Sequence, residues 1–145
     1  MEKQKSQLEL FAAIRLEILL FLANMGVLFK LLIIQPGNMR QYKEIFMGMN
    51  VELTGLTKLL LNYSDFLMYN LVIRLFLAVV VIGLAFYGVN FLKNQAAQQN
   101  DEASLARMQV IATSALVISF ILLQYVGSLV NSAMMLPMLK MVNAY

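Results

Sequence analysis

Cysteine, histidine and tryptophan do not occur in the 145 residues, and proline occurs only twice. The missing thiols and imidazoles remove disulfides, Cys/His zinc sites, thiol nucleophiles, haem-ligating histidines and histidine proton relays together, and leave the redox compartment undetermined. Charge is scarce too. Only 13% of residues are charged and the net +3 is scattered, so no basic patch points to nucleic acid. Neither a Gly-rich phosphate loop nor a nucleophile elbow is present. Adjacent Asp101 and Glu102 point in different directions on a helix and suit its positive end better than acid/base chemistry. Without histidine or cysteine, the cluster Met134, Met135, Met138 and Met141 reads as flexible apolar packing and not as a copper site. The expectation is a protein that is no enzyme, with no catalytic residue, cofactor or metal.

Apolar residues are abundant, at 61%. Leu75 to Leu92 and Met108 to Leu139 carry no charge at all. At about 1.5 Å per helical residue, either run reaches the roughly 30 Å hydrocarbon layer of a bilayer. A soluble domain of this size has no core able to bury helices that are apolar on all sides. The fold class expected is all-α: a single integral membrane domain with three transmembrane helices and a short amphipathic interfacial helix.

The first span is expected at about residues 14–35, with Ser6 and Glu9 forming a capping box before it and Pro36-Gly37 ending it. Asn24 and Lys30 interrupt it, and the stem of Lys30 lets its ammonium reach the interface. Pro36, Gly37 and Asn38 form a turn in this reading. An interfacial segment follows over residues 38–64, where Tyr42, Ile45, Phe46 and Met49 and then Leu56, Leu59, Leu60 and Tyr63 recur at helical spacing. Thr54 or Thr57 caps its second part, which runs without a breaker into a second span at about 66–92. Residues 93–107 form a polar connector, Asn100 or Asp101 caps the last helix, and the third span covers about 108–139, running to Pro137. Arg15 and Glu17 stand at the head of the first apolar run with no small-residue cleavage site after it, so the N-terminus is expected to be retained.

Polar residues inside these spans are the candidate functional positions. Taking the second helix as continuous, Tyr63, Asn70, Arg74, Ala78, Ala85 and Gly88 fall along one face, and a polar and small-residue stripe of this kind faces another helix. Arg74 either pairs with a carboxylate such as Asp65 or Glu52, lines a water-filled path, or snorkels to the interface. The third helix places Thr113, Gln124, Ser128 and Asn131 on one face, with Ala115-Ser119 and Ser128-Ser132 as small-residue pairs. Asn70, Arg74, Gln124, Ser128 and Asn131 are therefore the expected helix-packing residues.

The stretch from Ile33 to Leu67 resembles the type II secretion F and type IV pilus platform family. The resemblance rests on Pro36, Ile45-Phe46, Gly48, Glu52-Leu53, Leu56-Thr57 and Ser64-Asp65-Phe66-Leu67, in the family's order and spacing, and on Leu136-Pro137 near the end of the last helix. Thr54 stands where that family usually has proline, and the family's cytoplasmic helical domains with their Gly-Glu-x-x-Gly motif have no counterpart. The resemblance implies a reduced inner-membrane scaffold for a secretion or pilus-like machine.

Three crossings put the two ends of the chain on opposite sides. Lys3, Lys5, Arg15, Lys93 and Arg107 share one side, and Arg40, Lys43, Lys58 and Lys140 the other, which favours a cytoplasmic N-terminus. The sequence thus reads as a multi-pass protein of the bacterial inner membrane, in contact with lipid, that binds itself as a homo-oligomer and other membrane subunits of an envelope complex. The alternative is a small homo-oligomeric or holin-like pore in which the same polar faces line water.

Overall fold

The computed structural model describes residues 12–48, 53–99 and 102–142. Every regular element among them is helical: α1 (Arg15–Phe29), a π-helical turn (Lys30–Ile34), α2 (Gln35–Gly48), α3 (Gly55–Tyr69), α4 (Leu71–Ala97) and α5 (Glu102–Val142). Arg15–Gly48, Leu71–Ala97 and Glu102–Leu139 are each long and apolar enough to cross a membrane. The protein is an all-α, multi-pass membrane protein. The capping box at Ser6 and Glu9, the cap at Asn100 or Asp101, and Glu52 lie outside the described residues.

Both prolines were expected to end helices, and neither does. Pro36 follows the π turn, where the Gln35 backbone N–H donates to the Lys30 carbonyl, and α2 then continues through Gly37 and Asn38 to Gly48. A proline inside an α-helix leaves one carbonyl without a donor and presses its ring on that turn; the wider π register has already displaced those carbonyls. Pro137 lies inside α5, which runs on to Val142. Its missing N–H would have served the carbonyl of Ala133. Thr57 Oγ1 donates to that carbonyl instead, at 3.0 Å, so the helix passes the proline with the buried acceptor satisfied.

A third correction concerns the join between α3 and α4. Expected as one helix, they are separated by Asn70, whose φ of −107° and ψ of 74° break the helical path. Its backbone N–H and its Nδ2 both donate to the Phe66 carbonyl, at 3.1 and 2.8 Å. An asparagine offers its side chain to the last free carbonyls of a helix and so favours an end over a continuation. The expected connector at 93–107 is also shorter, because α4 extends through Lys93 to Ala97 and α5 starts at Glu102.

The chain divides into two compact units: Met1–Val27 with Val80–Leu123, and Leu28–Val79 with Gln124–Tyr145. In the first, Ile14, Glu17, Asn24, Val81, Leu92 and Ala96 are buried. In the second, the apolar stripe of α2 meets α3 around a core of Met39, Phe46, Leu61 and Met134, flanked by Tyr42, Leu60 and Val130. Thr54 caps α3: its Oγ1 accepts from the Thr57 backbone N–H at 3.4 Å and bonds Thr57 Oγ1 at 2.7 Å.

Candidate functional site

Within the first unit the polar groups of α1 turn inward. Glu17 and Asn24, seven residues apart and hence on one face, are 3% and 2% exposed. Thr113 Oγ1 donates to Glu17 Oε1 at 3.1 Å. Asn24 Nδ2 donates to the carbonyls of Leu20 at 2.8 Å and Leu116 at 3.1 Å, and Gln109 Nε2 donates to the Ala13 carbonyl at 2.7 Å. These bonds tie α1 to α5, as polar side chains do between membrane helices. Glu17 Oε2 and Asn24 Oδ1 are buried without a hydrogen-bond partner among the described residues. The sequence reading saw Asn24 only as an interruption; its spacing from Glu17 was the signal that both belong to a packed face.

Beside them, Gly88 on α4 is a point of close approach. A Cβ placed there would lie less than 3.0 Å from Cζ, Cε1 and Cε2 of Phe21. The ring of Phe21 sits where only a glycine leaves room, which is the small-residue contact expected for Gly88.

The second unit gathers the residues that carry the sequence resemblance. Pro36, Phe46, Thr57, Ser64, Leu67 and Pro137 are all buried. Ser64 Oγ donates to the Pro36 carbonyl, Thr57 Oγ1 to that of Ala133, and Asp65 forms a half-buried ion pair with Lys43. That ion pair takes up one of the two carboxylates named as alternatives for Arg74. Arg74 is half-exposed, its Nη1 lies 3.7 Å from Met68 Sδ, and it has no ion pair among the described residues. The break at Asn70 also puts Tyr63 out of phase with Arg74, so the expected common face does not extend across it. Partial burial pushes the Tyr63 hydroxyl above its ordinary pKa of 10.0, which keeps it neutral in α3.

The remaining expected packing residues lie on α5 and divide into two kinds. Asn131 Oδ1 accepts from Gln35 Nε2 at 2.9 Å, so this residue joins α5 to α2. Gln124 and Ser128 are exposed and make no side-chain hydrogen bond among the described residues. Asn70 is exposed and spends its amide on the end of α3. Comparison of the chain with protein-family models, with curated proteins and with solved structures gives no match.

Proposed function

We propose that this chain is an inner-membrane scaffold subunit of a secretion or pilus-like envelope complex, acting through helix–helix contacts with further copies of itself and with other membrane subunits. The observation that carries the reading is the pair Gln124 and Ser128, exposed in the uncharged stretch of α5 with no side-chain hydrogen-bond partner among the described residues. A carboxamide facing hydrocarbon is costly, and a helix from another chain satisfies it. The most apolar window of α4 is 6% buried and that of α5 0%, so these faces stay open to a partner. Among the described residues of the resemblance motif, Ser64 bonds the Pro36 carbonyl, Thr57 bonds that of Ala133 and Asp65 pairs with Lys43, structural contacts that support the same reading. On this reading the N-terminus lies in the cytoplasm of a bacterium.

The test is the variant Gln124→Leu, Ser128→Ala. Each interhelical hydrogen bond in a membrane is worth about 0.6 to 2 kcal/mol, so the double change should dissociate higher-order species in detergent while the single chain melts as before. An unchanged oligomer would refute the assignment. A pore is the second reading, favoured by Arg74, half-exposed and without an ion pair among the described residues. Exposed polar faces would then surround an aqueous axis.

A further inference from the structure

A cleft of about 240 Å³ opens in the second unit where the π turn meets α2 and α5. Lys30, Gln35, Asn38, Tyr42 and Asn131 supply its polar wall, and Ile34, Met39 and Met134 its apolar one. Among the described residues no carboxylate lines it. Lys30 has no ion pair among the described residues, so the cleft carries one uncompensated positive charge. Gln35 gives its Nε2 to Asn131 Oδ1, which leaves Asn131 Nδ2 free to donate, beside the amide of Asn38 and the hydroxyl of Tyr42. One cation and three neutral donors facing an apolar wall describe a receptor for a single anion.

The position of the cleft decides which anion. The run from Ile18 to Ile34 is almost entirely apolar, whereas Gln35 to Glu44 carries Gln35, Asn38, Arg40, Gln41, Lys43 and Glu44. Lys30 and Asn38 thus straddle the changeover from a hydrocarbon-compatible to a water-compatible surface, the depth of lipid headgroups. The π turn is what brings them to one cleft: Lys30, Ile34, Asn38 and Tyr42 follow one another along one face across it. Drug-sized ligands need about 300–1,000 Å³, so this smaller space suits a phosphodiester whose chains remain outside. Ile34, 48% exposed, continues the wall toward the apolar run.

We infer that the cleft holds the headgroup phosphodiester of an anionic phospholipid, with Lys30 Nζ as its counter-charge, Asn38, Tyr42 and Asn131 as hydrogen-bond donors, and the acyl chains lying along the apolar surface of α1. The site is independent of the assembly role proposed above, and its ligand is lipid and not free phosphate.

The full chain is reconstituted in vesicles of equal phosphatidylglycerol and phosphatidylcholine, extracted in mild detergent, and the lipid retained on each protein is counted by native mass spectrometry. Phosphatidylglycerol should be retained in about five- to tenfold preference, the size of one charge-assisted contact. Lys30→Gln should abolish that preference, and Lys30→Arg should keep it. Lys58→Gln, in a different cleft of the same unit, should also keep it. Should Lys30→Gln not fold, Tyr42→Phe, which removes only a donor to the phosphodiester, should lower the amount of phosphatidylglycerol retained about threefold. Equal retention of both lipids overturns the inference and leaves Lys30 to an acidic group of a protein partner. Equal loss in Lys58→Gln, a preference unchanged in Lys30→Gln, phosphatidylglycerol retention unchanged in Tyr42→Phe, or displacement of the lipid by inorganic phosphate overturns it as well.

Discussion

The hydroxyl of Thr57 is expected to matter because of a proline eighty residues further along the chain. Thr57 is fully buried, and its Oγ1 donates to the Ala133 carbonyl at 3.0 Å, the acceptor that Pro137 cannot serve. Valine has nearly the same shape, so Thr57→Val opens no cavity; it removes the donor and leaves a buried carbonyl unpaired. An orphaned buried acceptor costs about 1–3 kcal/mol. Pro137→Ala returns an N–H to that carbonyl, and in its background Thr57→Val should cost under about 1 kcal/mol, a coupling of roughly 1–2 kcal/mol. The four proteins are unfolded in detergent by heat and by added dodecyl sulfate, with far-ultraviolet circular dichroism as the signal. Equal losses in the two backgrounds would mean that the threonine does not stand in for the missing proline N–H, and the account of how α5 continues past Pro137 would fail.

Three further outcomes are expected. Gly88→Ala should destabilise the protein by about 1–3 kcal/mol through overpacking on Phe21, whereas Gly83→Ala on the same helix, with nothing within 4 Å, should gain about 0.5–1 kcal/mol; melting temperatures moving together would refute the close contact. Single cysteines at Asn50 and Gln98 in the cysteine-free chain should label from opposite sides of sealed vesicles, and labelling of both from one side would contradict three crossings. Arg74→Gln separates scaffold from pore: the scaffold loses partner recovery and passes no ions before or after the change, while unitary currents whose anion selectivity falls with the substitution would decide for a channel.

The all-α membrane class was legible in the sequence because it depends on composition over lengths of a bilayer thickness. Two runs without a charge leave a helix as the only structure that satisfies its own backbone in lipid, whatever else the chain does. The packed side of Gly88 and the cap at Thr54 were legible for a similar reason: both are local patterns of small or hydroxyl residues at helical spacing. What the sequence misplaced was punctuation. Pro36 and Pro137 carry a strong local signal to stop, and each is overruled by a hydrogen bond or a change of register that local rules do not include. Asn70 carries a weak signal and does end a helix.

The choice of polar partners belonged to the tertiary structure alone. Helical projection groups Thr113, Gln124, Ser128 and Asn131 on one face, yet Thr113 bonds Glu17, Asn131 bonds Gln35, and Gln124 and Ser128 form no side-chain hydrogen bond among the described residues. Asp65 was equally available by sequence to Arg74, nine residues away, and to Lys43, and takes Lys43. A helical face is a property of neighbours three and four residues apart, so periodicity reveals it. A hydrogen bond between helices depends on where two side chains separated by 22 to 96 residues come within about 3 Å, and only the packed chain sets that distance.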